Sequence, residues 1–309
     1  MIPQLALDQL DVSNAAPAKP NPAPDALLLL DLDKCTVFGS DGNDLGIAMQ
    51  WMNHTQAELT GLYRLLLNPC VPQTYHALKA RHPNLRVAIY TERPALMQYR
   101  PGGPAACVAA VPWNPAWLDG GQLYIPQSAA DADAVMRESA AGLNALPAED
   151  RDSLRRAVER LLAARAALRD ALGLAAHPDA VVTAAPKDVP RTARRLGCPA
   201  ARAHLWDDNP RLRGRPGAVV VPPFTRLAPA QRGRLLAFLG ERLPLASLPP
   251  ELVELTLEAR PQDRSLARGP AGELEYRVPA AGGPGEIGEP EPWPLPPPAP
   301  DAAAVAEGD

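Results

Sequence analysis

Four short apolar runs in this chain each end in residues that can do chemistry. "ALLLL" (26–30) runs into Asp31-Leu32-Asp33, and "LRVAIY" (85–90) into Thr91-Glu92-Arg93. "AVVTA" (180–184) leads to Lys187-Asp188, and "AHLW" (203–206) to Asp207-Asp208-Asn209. Asp31, Asp33, Asp207 and Asp208 are carboxylates, Thr91 brings a hydroxyl and Lys187 an ammonium. Gathered on one rim, such a set repels itself unless a cation and an anion complete it. Magnesium, a hard ion that prefers oxygen ligands, and a phosphate satisfy both signs.

The elements that must hold these residues are legible as an alternation. The apolar runs, with "AVVVP" (218–222) as a fifth, are continuous and have strand length. That is the pattern of a parallel sheet covered on both faces. Between them lie helical pieces. "NPCVPQTYHALKARHPN" places Val71, Tyr75 and Leu78 on one face and stops at His82-Pro83-Asn84, while "PRTARRLG" ends in Gly197. The expected fold class is therefore α/β, a doubly wound parallel sheet whose ligand site lies beyond the carboxyl ends of its strands.

Residues 97–179 are too long for one crossover helix and are expected to form a helical insertion. In its second half Leu154, Val158, Leu161, Leu168 and Leu172 make one stripe at helical spacing, opened by Pro147 and closed near Gly173. The preceding "SAADADAVMRESAAGLNA" completes an expected helical hairpin packed over or beside the sheet. Residues 1–24 read as a disordered leader and 261–309 as a disordered Pro/Gly/Glu-rich acidic tail. In that tail Trp293, in "EPWPLPPP", is a candidate anchor for a partner.

The four motifs in this order resemble the haloacid dehalogenase superfamily of phosphotransferases. The nearest branch is that of phosphatases acting on the RNA polymerase carboxy-terminal domain, with its NLI-interacting-factor-like relatives. "DLDKCTV", "VAIYTER", "PKDV" and "LWDDNP" correspond to its four motifs, and "NPCV" (68–71) resembles a turn that precedes the second. The resemblance covers roughly residues 25–225 of an expected phosphatase domain spanning 25–260. It implies that Asp31 is the nucleophile forming an aspartyl-phosphate, with Asp33 as general acid and then general base. It implies that Thr91 hydrogen-bonds a phosphoryl oxygen and that Lys187 offsets negative charge on Asp31 and the phosphoryl group. Magnesium is then held by Asp31, the backbone carbonyl of Asp33, and Asp207 and Asp208, either of which can supply the direct contact. Cys35 and Thr36 depart from the family pattern, and a structural cysteine is expected at 35, where no base is placed to activate it.

The implied activity is Mg2+-dependent hydrolysis of a phosphomonoester, with phosphoserine or phosphothreonine protein as one substrate class. Small phosphometabolites, phosphorylated nucleic-acid ends, phosphoryl transfer to an acceptor, and a non-catalytic scaffold of the same fold are the alternatives. The formal charge of -4 speaks against a nucleic-acid surface over the whole molecule. The four cysteines lie far apart, with no zinc spacing or disulfide framework, and no apolar run reaches the ~18 residues of a membrane span. A soluble chain of the cytoplasm or nucleus is expected. Trp113 and Trp117 are expected as apolar contacts or the lining of a substrate mouth, His204 as a core or edge residue, and Arg155, Arg156, Arg160 and Arg169 as a solvated helix face.

Overall fold

The computed structural model describes residues 24–39, 55–92, 96, 98–99, 109–111, 113–183 and 186–225, scattered positions from 227 to 238, and 266–268 with 274–276. Most of the expected leader and tail, including Trp293, lies outside the described residues.

Five parallel strands form the centre: β1 (Ala26–Leu30), β2 (Leu85–Thr91), β7 (Asp179–Thr183), β8 (Ala203–Asp207) and β9 (Ala218–Val220), in the spatial order β7-β2-β1-β8-β9. Each apolar run of the sequence is a strand here, within a residue or two of its expected ends. The four leucines of β1 are buried on both sides. Leu28 and Leu30 face one apolar layer, Leu27 and Leu29 the other. Burying a leucine stabilises by about 1.5–3 kcal/mol relative to exposure, so the central strand is strongly specified.

Helices cover both faces. On one side lie α1 (Gln56–Leu66), α2 (Cys70–Arg81), α3 (Ala132–Glu138), α4 (Ala140–Leu143) and α5 (Ala148–Leu172). On the other side lies α6 (Val189–Arg195). The local signals act as expected. Thr55 closes a capping box with Glu58 at the start of α1. Pro147 precedes α5, and Gly173 ends it in the left-handed conformation. All five residues of the expected apolar stripe of α5 are buried.

The 97–179 segment departs from the expectation of a helical insertion on a parallel sheet. Its first half holds a short antiparallel pair, β3 (Gln98–Tyr99) with β4 (Ala109–Ala110), and then a hairpin, β5 (Leu118–Asp119) and β6 (Gln122–Ile125). β6 pairs antiparallel with β7, so the sheet has seven strands and is mixed. The hairpin turn is Gly120-Gly121, both at positive φ, which a two-residue turn of this hand requires. α5 packs on α1, α2 and α3 and closes one helical layer, because its stripe needs an apolar partner along its length.

A further difference lies beyond residue 261, where β10 (Leu266–Arg268) pairs antiparallel with β11 (Leu274–Tyr276). The five residues between them, "GPAGE", have turn composition. Among the described residues, no helix is long and apolar enough to cross a membrane.

Candidate active site at the carboxyl ends of β1 and β8

Chain order reverses between β1 and β8. From β1 the chain moves outward to β2 and β7, then returns to add β8 and β9 on the other side. In open sheets of this kind the crevice at such a reversal is where ligands bind. Asp31 follows β1 directly and Asp207 ends β8. The Asp31 amide donates to the Trp206 carbonyl at 2.9 Å, which holds the two strand tips together.

Lys187 joins them. Its Nζ donates to Asp31 Oδ1 and to Asp207 Oδ2, both at 2.5 Å, and all three residues are buried. Asp207 Oδ1 accepts from the Asn209 amide at 2.8 Å, so each oxygen of Asp207 is engaged. Asp208, half-buried, completes a group of three carboxylates whose oxygens lie within 4.8 Å of one another.

Fully ionised, three carboxylates against one ammonium would leave two negative charges in a poorly hydrated place. Burial pushes the Asp31 carboxyl up to about 7; Lys187 pulls it back down, and Asp207 adds to the rise. Burial, then Asp207, likewise raises Asp208. Burial alone would lower Lys187, but Asp31 and Asp207 outweigh it and hold the ammonium above its ordinary value. Oxygen donors with a two-charge deficit fit a hard divalent cation.

Thr91, the last residue of β2, is 1% exposed, and its hydroxyl has no hydrogen-bond partner among the described residues. A buried hydroxyl left unpaired costs free energy, so an acceptor or donor from a ligand is the natural complement. Asp33 differs from Asp31 in burial. The chain turns at Leu32, and Asp33 is exposed where it bridges to Val37. The extended path that would carry both side chains the same way is interrupted by this turn.

The "KCT" stretch that follows Asp33 has a structural account. The Asp31 carbonyl accepts from the Thr36 amide at 3.1 Å and from the Thr36 hydroxyl at 2.5 Å. Lys34 takes the left-handed conformation at φ 61° that this tight loop needs. Cys35 is fully buried, donates its thiol to the Trp206 carbonyl at 3.3 Å, and has its pKa pushed well up by burial. It is a structural cysteine.

Asn68 holds the same loop from outside. Its Nδ2 donates to the Cys35 carbonyl at 3.0 Å, and its amide donates to the Thr36 carbonyl at 2.9 Å. Its Oδ1 accepts from the Cys70 amide at 3.0 Å. The "NPCV" turn does not mark this asparagine in sequence, since its partners in the loop, Cys35 and Thr36, lie 33 and 32 residues away. Tyr90, Gln122 and Thr192 were also missed. Nothing in their local sequence marks them.

Trp113 and Trp117 are buried, with Trp113 Nε1 on the Leu96 carbonyl, and belong to the apolar core. His204 is half-buried within β8. Arg155 and Arg169 pair with acids at the surface of α5, as a solvated face does.

Compared with family models, with curated proteins and with solved structures, the chain matches none.

Proposed function

We propose that this chain is a magnesium-dependent phosphomonoester hydrolase acting through an aspartyl-phosphate, in keeping with its resemblance to the haloacid dehalogenase superfamily. The observation that carries the reading is the Lys187 ammonium shared between Asp31 and Asp207 at the chain reversal. A third carboxylate and an unpaired buried hydroxyl stand on the same rim. The charge deficit calls for a cation, and Lys187 with Thr91 calls for an anion.

Asp31, Asp207 and Asp208 would hold the ion, together with the Asp33 backbone carbonyl. When bound, it supplies charge neutralisation for the nucleophile and the phosphoryl oxygens. Because Asp207 already holds Lys187 and the Asn209 amide, its first duty is to fix the ammonium, and Asp208 is the readier direct ligand.

In the first step an Asp31 oxygen bonds to phosphorus while the bond from phosphorus to the leaving oxygen breaks. Asp33, in the general-acid role the resemblance implies, gives a proton to that oxygen. In the second step a water gives a proton to Asp33 and attacks phosphorus. The bond to Asp31 breaks, and inorganic phosphate leaves. Lys187 and Thr91 steady the phosphoryl oxygens through both steps, which is where most of the catalysis in phosphoryl transfer resides.

The test is hydrolysis of an aryl phosphate with and without Mg2+, then a screen over phosphopeptides, sugar phosphates, nucleotides and phosphorylated DNA ends. Loss of turnover in Asp31→Asn is expected, and undiminished turnover in that variant overturns the mechanism. A wild-type protein that neither hydrolyses any of these nor traps beryllofluoride with Mg2+ is a scaffold, not an enzyme.

A further inference from the structure

The largely apolar sheet face under α6 carries, besides the Arg86–Asp179 ion pair, one buried polar network. There Tyr90 of β2, Gln122 and Tyr124 of β6, and Thr192 of α6 are all buried and hydrogen-bonded to one another. Gln122 is the hub. Its Nε2 donates to the Tyr90 hydroxyl, and its Oε1 accepts from the Tyr124 hydroxyl and, at 3.0 Å, from the Thr192 hydroxyl. A buried polar network is costly unless satisfied, and apolar side chains would cover this face equally well.

Its outlet is the segment that carries Lys187. The Tyr90 hydroxyl accepts the Asp188 amide at 2.7 Å, and the Tyr90 ring lies 5.7 Å from Lys187 Nζ. Asp188 is fixed a second time as the cap of α6, where its Oδ1 accepts from the Arg191 amide at 2.9 Å. The strand that brings Gln122 belongs to the edge hairpin and lies opposite Thr183 of β7. A chain of contacts therefore runs from the added hairpin through Gln122 and Tyr90 to the ammonium between Asp31 and Asp207.

We propose that Tyr90 and Gln122 are positioning residues for Lys187. The edge hairpin supplies the amide that orients the Tyr90 hydroxyl. That hydroxyl pins the Lys187–Asp188 backbone, and the ring backs the ammonium. The kinetic consequence rests on the phosphohydrolase reading; the placement of the ammonium does not, and the test separates them.

The test uses Tyr90→Phe, which keeps the ring, Gln122→Glu, which keeps the acceptors for Tyr124 and Thr192 but removes the N–H donor, and Lys187→Met. With aryl phosphate and Mg2+, Tyr90→Phe and Gln122→Glu are each expected to lower kcat by about 10-fold, with KM changed far less, the scale seen for groups that orient active-site residues. In the Lys187→Met background the same changes add less than about 2-fold, since they act through a side chain no longer there. The same cycle is run on Mg2+ affinity by calorimetry, which requires no turnover. Lys187→Met removes a repelling cation and tightens Mg2+ binding. Tyr90→Phe tightens it partway, and adds nothing once Lys187 is gone. A purely structural role would weaken binding and melting together. Equal effects of Tyr90→Phe in both backgrounds, on either readout, overturn the proposal. An inactive wild type that still shows the Mg2+ cycle sinks the phosphohydrolase reading and leaves the positioning role standing.

Discussion

Lys187 Nζ stands 2.5 Å from Asp31 Oδ1, although 156 residues separate the two in the chain. Both are buried, and the contact ties the loop after β7 to the tip of the central strand. An ion pair of this kind is held by geometry, since removing one partner leaves the other charge in a poor solvent.

Lys187→Met is therefore expected to destabilise the metal-free protein at neutral pH by about 3–5 kcal/mol, the usual result of orphaning a buried charge. Saturating Mg2+ recovers much of the loss by taking over the neutralisation of Asp31 and Asp207. Denaturant unfolding with and without the ion measures both.

The Asp31 carboxyl predicts a pH dependence. Its folded value, about 7, lies above its ordinary 3.8, so the fold keeps a proton that the unfolded chain gives up. The stability contributed by this group is full below about pH 4 and is lost as pH rises toward 7. In Asp31→Asn that decline over pH 4–7 is expected to vanish. Mg2+ binding displaces the proton, so affinity should rise with pH up to about 7. An identical stability profile in wild type and Asp31→Asn contradicts this.

Thr91→Val exchanges an unpaired buried hydroxyl for a methyl group of the same shape. The ligand-free protein should gain about 1–3 kcal/mol, the usual penalty for an unsatisfied buried polar group. Turnover and beryllofluoride capture should both fall. A variant that is destabilised, or as active as wild type, excludes the assigned role. Melting curves paired with kinetics decide it.

Cys35 should resist alkylation in the native protein at pH 8, since its thiol is buried and its pKa well raised. Modification should appear only on unfolding. Cys35→Ala should retain catalysis, at some cost in stability. Rapid native labelling that abolishes activity would restore a reactive role for this residue.

Asn68→Ala removes one side chain that bridges the Cys35 carbonyl and the Cys70 amide. A loss of about 1–3 kcal/mol is expected, because both backbone groups are left buried. The loop after Asp31 should loosen with it, which amide hydrogen exchange at Thr36 and Val37 reports directly.

Much of this protein is determined locally and is legible in the chain. The four leucines of β1 and their neighbouring strands are continuous apolar runs because both sheet faces are covered, and that composition needs no tertiary information to read. The bounds of α5 follow from Pro147 and Gly173 and its buried face from a stripe at helical spacing. The residues of the site were legible for a related reason: each sits where an apolar run stops, and in a doubly wound sheet all such ends share one rim. The hairpin of β5 and β6 had a signal as well, the Gly120-Gly121 turn, though two residues of strand on its first side are too few to register as a pattern.

The tertiary structure decided the rest, because the deciding contacts are long-range. Which of the carboxylates lies buried depends on the turn at Leu32 and on clamps from Trp206 and Asn68, neither of which is local to Asp31. That Lys187 reaches both Asp31 and Asp207 depends on a crossing that brings the end of β7 over two neighbouring strands. The polar network on Gln122 is invisible in sequence, since Tyr90, Gln122 and Thr192 are ordinary residues until three separate elements bury them together. Local composition specifies the elements; where one charge comes to rest against another is settled only when the sheet assembles.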